Sequence, residues 1–119
     1  MYLPLDNPLF LIPAMTGLIF VMAGIIMLKF PPKDINSLYG YRTKRSMQNK
    51  ERWTFAQKYS AIEMTKLGGL LTLIGLIGFF FKPTGKTGML MGLGLMIIMV
   101  IILFLRVENA IKKRFNKEK

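Results

Sequence analysis

The chain contains no cysteine and no histidine, and only six of its 119 residues are acidic. Without cysteine there are no disulfides or thiol chemistry, and nothing reports a redox compartment. Without histidine the commonest general base and the commonest metal ligand are missing. The acids Asp6, Asp34, Glu51, Glu63, Glu108 and Glu118 are scattered, and no pair has a spacing suited to shared acid–base work or metal ligation. The expectation is no metal, no cofactor and no enzyme. Lys and Arg number 17, for a net charge of +11. The basic residues flank apolar runs and form no separate basic domain. That pattern reports membrane topology and anionic headgroups, and no nucleic acid is expected.

Apolar length is what the sequence has in plenty. Hydrophobic residues make up 52% of the chain, gathered into the runs Leu9–Leu28, Leu67–Phe81 and Met89–Leu105. A bilayer core of about 30 Å needs about 20 helical residues. The first run meets that length, the third just does, and the second does once a helix enters from Trp53. The predicted fold is all-α: residues 1–119 form one transmembrane domain with spans at about 9–28, 62–81 and 89–105. The second helix extends into the cytoplasm, and the basic tail 106–119 is an amphipathic interfacial segment. Met1–Pro8 lacks the positive start of a secretory signal, so the first run is expected to remain as a span. Segment 29–52 carries seven basic residues and the tail six, against two in 82–88. The positive-inside rule then puts the N-terminus outside and the C-terminus in the cytoplasm of a cell membrane.

Asn7-Pro8 reads as a helix cap with proline in the first turn. Pro13 marks either a start or a bend, and Pro31-Pro32 end the first span. Asn49 or Ser46 caps a second helix running to Phe81, which Lys82-Pro83 terminate. Gly17 and Gly24 lie two turns apart on one face and admit a neighbouring backbone. Thr65/Gly69 and Gly68/Thr72, with Gly75 and Gly78, are expected to pack against Gly88, Gly92 and Gly94 in a hairpin of the second and third helices. Glu63 and Lys66 mark the membrane boundary as a neutralising pair. Gly85-Lys86-Thr87 resembles the end of a P-loop, but no strand precedes it, and a turn is the expectation.

The informative stretch is 36–60. Tyr39, Tyr41, Trp53, Phe55 and Tyr59 are interleaved with Arg42, Lys44, Arg45 and Arg52. Interfacial aromatics and inside charges explain much of this. They do not explain Gly40 between two tyrosines, nor the polar set Asn36, Thr43, Ser46, Asn49 and Gln57. Gly40 suggests a tight turn, and the arginine with its hydroxyl and amide neighbours suggests a hydrogen-bonded constellation. Trp53, Ala56, Gln57, Ser60 and Met64 share a helix face that can close over the Tyr39–Ser46 turn.

The run Asn36-Ser37-Leu38-Tyr39-Gly40-Tyr41-Arg42-Thr43, followed by Ser46-Met47, Asn49 and Trp53, resembles the signature of the SdpI family of toxin-immunity membrane proteins. The family's named member is longer, with further spans ahead of the signature, whereas this chain resembles a short three-span form. The resemblance implies a non-enzymatic protein that protects the membrane against a secreted peptide toxin. It also implies that a cytoplasmic regulatory protein is held at the inner face. Expected partners are therefore anionic lipid headgroups, a peptide toxin and such a regulator, and the exposed helices suit homo-oligomerisation. Expected binding residues are Asn36, Tyr39, Gly40, Tyr41, Arg42, Thr43, Ser46, Asn49, Trp53 and Gln57, with Arg42 as anchoring cation and the aromatics as rigid contacts. A sensor or scaffold docking a regulator on the basic face is the alternative. A transporter or lipid-modifying enzyme would need a further intramembrane charge.

Overall fold

Asn7 caps the first helix as expected: its Oδ1 accepts the Leu9 N–H at 3.2 Å, and Pro8 follows in the first turn. A computed structural model of the protein describes residues 7–81, 83 and 85–115. Among these it contains three helices and no strand: α1 (Pro8–Lys29), α2 (Lys50–Gly78) and α3 (Gly85–Phe115). At 22, 29 and 31 residues they are about 33, 44 and 46 Å long. All three are long and apolar enough to cross a membrane. Large apolar side chains such as Ile19, Met22, Leu73, Ile77, Leu90 and Leu105 point outward, at half or more of their full exposure for most of them. In water that surface would be prohibitive; in lipid it is the expected exterior.

The tightest seam joins α1 to α2. A Cβ on Gly17 would collide with Thr72 and the Gly68 backbone, one on Gly24 with Thr65 and Ala61, and one on Gly75 with Ala14. The Thr65 and Thr72 hydroxyls donate to carbonyls one turn back, Ala61 O and Gly68 O, each at 2.9 Å. Neither hydroxyl needs a partner on α1. Pro13 lies inside α1 and is buried. The side-chain amide of Asn7 closes the far end, donating to Gly78 O and Phe81 O at 3.0 Å each.

Several sequence expectations need correction. The small residues do not build an α2–α3 hairpin. Those of α2 face α1, and Gly92 of α3 also meets α1, at Pro8 and Ile12, while Gly88 lies near Pro83 and Pro8. Gly69 and Gly94 face open space. The reason is complementarity: α1 sets Gly17, Gly24 and Ala14 opposite these positions so that the two backbones meet, whereas Gly88, Gly92 and Gly94 of α3 do not face α2. α2 ends at Gly78 instead of Phe81. Lys82, Met1–Asp6 and residues 116–119, on which parts of the terminal and tail expectations rested, lie outside the described residues. Gly85-Lys86-Thr87 forms the first turn of α3 and not a loop. The tail is no separate interfacial helix. Through Phe115 it continues α3, because its apolar residues Val107 and Ile111 are buried in the core with Tyr41 and Ala56.

Candidate functional site

Segment 30–49 joins α1 to α2 without regular structure, yet it is pinned at every few residues. Asn36 opens it with a side-chain turn, its Oδ1 accepting the Leu38 and Tyr39 N–H groups at 2.9 and 2.7 Å. The Tyr39 hydroxyl reaches back to donate to the Phe30 carbonyl at the end of α1. Gly40 then takes φ +109°, a conformation disfavoured for side-chain-bearing residues. A Cβ there would also stand 2.5 Å from Gln57 Oε1 and 2.7 Å from Pro32 Cγ. Both constraints allow only glycine.

Gln57 explains the close approach. Its Oε1 accepts the Tyr41 N–H and its Nε2 donates to the Tyr41 carbonyl, both at 2.7 Å. A buried primary amide thus reads the backbone of one loop residue as a neighbouring strand would. Ser46 closes the next turn: its Oγ accepts the Thr43 N–H at 2.9 Å, and its own N–H donates to Thr43 Oγ1 at 3.2 Å. Asn49 caps α2 through the Arg52 N–H at 2.9 Å. Trp53 is fully buried, its indole donating to Pro32 O at 2.6 Å, so of the three expected aromatic contacts only Tyr39 is left exposed.

Glu108 of α3 gathers the other side of the loop. Its carboxylate accepts the Tyr41 hydroxyl at 2.6 Å, the Thr43 hydroxyl at 2.8 Å and Arg45 Nη1 at 3.1 Å. Burial first, and then the hydrogen bond to this carboxylate, holds the Tyr41 hydroxyl far above its ordinary titration range. Two residues earlier on α3, Arg106 Nε donates to the buried Glu63 at 2.6 Å, with Lys66 farther off at 3.5 Å. The expected Glu63–Lys66 pair is present, but Arg106 makes the shorter bond. Neither Glu108 nor Arg106 was among the expected site residues. The signal available was that Glu108 is a lone acid within the basic stretch 106–115.

Ser46, Trp53 and Gln57 are therefore enclosed, Tyr41 nearly so, and Asn36 and Asn49 make local caps. Arg42 points outward and makes no hydrogen bond or ion pair with any described residue. It stands at the rim of a groove of about 500 Å³ whose rim is residues 39–42 and whose floor is Ala23, Ile26, Met27, Met64 and Phe104.

These features define a class: a helical protein with three membrane-crossing segments and a polar loop folded onto one end of them. The sequence profile of the SdpI/YfhL protein family matches residues 33–105, from the loop through most of α3. The chain is also 38% identical over 102 residues to the uncharacterized protein YfhL of Bacillus subtilis (strain 168), covering 82% of this chain and 87% of that one. The protein belongs to the SdpI/YfhL family. No solved structure matches it.

Proposed function

We propose that this is a non-enzymatic immunity protein of the SdpI type, protecting the cell membrane against a secreted antimicrobial peptide. The observation that carries the reading is the division of labour in the loop. Its buried members hold a fixed turn, and that turn presents Arg42 and the edge of Tyr39 outward beside an apolar groove. A membrane-active peptide is amphipathic, and an aromatic–arginine rim over an apolar floor suits such a ligand. The charge asymmetry places the loop and the end of α3 in the cytoplasm and the N-terminus outside, so the peptide is met from within the bilayer. A cytoplasm-only reporter fused after Lys119 should be active; silence would reverse the arrangement. The functional test is Arg42→Ala in cells challenged with the peptide. Protection should vanish while membrane abundance stays unchanged, and unaltered resistance would refute the assignment.

A second reading, a scaffold for a cytoplasmic regulator, is favoured by one feature. The Arg52 guanidinium lies 4.8 Å from the Phe115 ring centre and that of Arg114 5.4 Å from Phe55, beside a hollow of about 660 Å³ that Lys50 and Lys58 also line. Reversing Lys58 and Arg114 to Glu, and leaving the Glu108-bound Arg45 intact, separates the readings. Loss of a co-purifying regulator with protection retained supports the scaffold.

A further inference from the structure

The groove beneath Arg42 changes character along its length. Its floor is apolar and drawn from all three helices, while its rim carries a guanidinium that nothing described neutralises. Of the other cations around the loop, Arg45 pairs with Glu108, Lys50 with Asp34 and Arg52 with the Phe115 ring. Lys33 and Lys44 likewise have no partner among the described residues, but they do not line this groove. The depth of the two ends can be read from α2. Gln57, which holds the rim through Tyr41, and Met64 on the floor are seven residues apart, about 10 Å along the axis. Charged Glu63, Lys66 and Arg106 lie at the level of the floor and mark the edge of the hydrocarbon. The headgroup zone on each side of the hydrocarbon is about 5–8 Å deep. The floor therefore meets acyl chains, and the rim backbone lies at the outer limit of the headgroup zone, from which the long Arg42 side chain reaches back to the phosphates.

We propose that this groove holds one phospholipid of the loop-side leaflet, with an acyl chain over Met27, Met64 and Phe104 and its phosphate on the Arg42 guanidinium. A groove opening sideways into a bilayer is bathed in lipid, and leaving it empty would forfeit the dispersion contacts of its lining. A phosphodiester is the anion that exists at the rim's depth, and guanidinium binds it through two parallel N–H donors. A free anion would leave the floor uncovered. A neutral diacylglycerol would cover the floor and leave the cation unpaired. The inference concerns the same groove as the toxin reading, with the lipid as its resident occupant in the absence of peptide, and lipid retention and protection are therefore measured separately.

The test is lipid retention by the purified full-length chain, counted by native mass spectrometry after detergent exchange. The probes are palmitoyl-oleoyl phosphatidylglycerol, dioleoylglycerol and inorganic phosphate. Wild type should keep one phosphatidylglycerol, keep no diacylglycerol, and not release the lipid to phosphate. Arg42→Ala should lower the retained fraction about fivefold or more, the factor that one cation contributes at a lipid surface. Arg42→Lys should fall between the two. Ala23→Phe, which fills the floor and spares the cation, should lower retention as well, while Lys112→Ala, a cation outside the groove, should not. Near-ultraviolet dichroism of the buried Trp53 checks that each variant is folded. Equal retention by folded Arg42→Ala, equal retention of diacylglycerol, or displacement by phosphate alone would overturn the proposal. If Arg42→Ala keeps its lipid but loses protection, this inference fails and the immunity reading stands.

Discussion

At the residue scale the loop depends on very few atoms. Gly40 is required twice, once for its positive φ and once because Gln57 and Pro32 occupy the space of a Cβ. Gly40→Ala should therefore cost about 1–3 kcal/mol from backbone strain alone. A fall in thermal stability, with no matching fall for Gly69→Ala on an open face of α2, is the expected measurement. Glu108 is the second such residue. Its hydrogen bonds are charge-assisted, the stronger class, though the half-exposed Arg45 contributes less than the two hydroxyls. Tyr41 reports on this carboxylate. Its folded pKa lies above the unfolded value of about 10, so the network's contribution is complete below that pH. As pH rises further, the unfolded chain loses the proton first and stability drains away. In an alkaline absorbance titration, the Tyr41 phenolate, isolated by subtracting Tyr41→Phe, should emerge only together with unfolding. Its appearance near pH 10 in folded protein would rule out the buried bond to Glu108.

At the scale of elements, the α1–α2 seam is the part least able to change. Gly17→Leu or Gly75→Leu would drive four carbons into a neighbouring backbone, where overpacking costs typically about 1–3 kcal/mol and often displaces the helix. Either should lower the melting temperature in detergent far more than Gly94→Leu, which faces open space. This seam also shows what was legible in the sequence. Helix number, the Asn7 and Asn49 caps and the shared face of Trp53, Ala56, Gln57 and Ser60 followed from local rules of capping and periodicity. The identity of each helix's partner did not. A glycine declares that a backbone comes close but not which one, and the choice of α1 rested on complementarity between two distant segments. The unbroken α3 was hidden for a similar reason. Arg106 looks like the end of a span, and only burial of Val107 and Ile111 under the loop carries the helix onward. Gly40, Tyr41 and Gln57 were legible as unusual residues, and Gln57 as lying on the face that covers the turn. Glu108 was not, because a carboxylate 65 to 67 residues away from its hydroxyl partners leaves no spacing to read.

For the whole molecule, α3 is held differently at its two ends. At one end Gly92 packs on Pro8 and Ile12 of α1; at the other, α3 is joined to α2 and the loop through the Glu63–Arg106 and Glu108 clusters. The loop therefore has two walls: α2, through Gln57 and Trp53, and the last two turns of α3. Removing residues 106–119 leaves three apolar segments but takes away the second wall and three charge-assisted bonds to the loop. Arg42 and Lys44 are exposed yet lie in a chain held on both sides, a state that trypsin cleaves slowly because it needs an extended, mobile segment. In vesicles with the loop side outward, the truncated protein should be cut within the loop severalfold faster than the full chain, with both remaining in the membrane. Glu108→Gln, which keeps the whole helix, should fall between them, since a neutral amide still accepts the Tyr41 hydroxyl but no longer pairs with Arg45. Equal cleavage of all three would mean that α2 alone holds the loop, and that the end of α3 serves something other than the turn it covers.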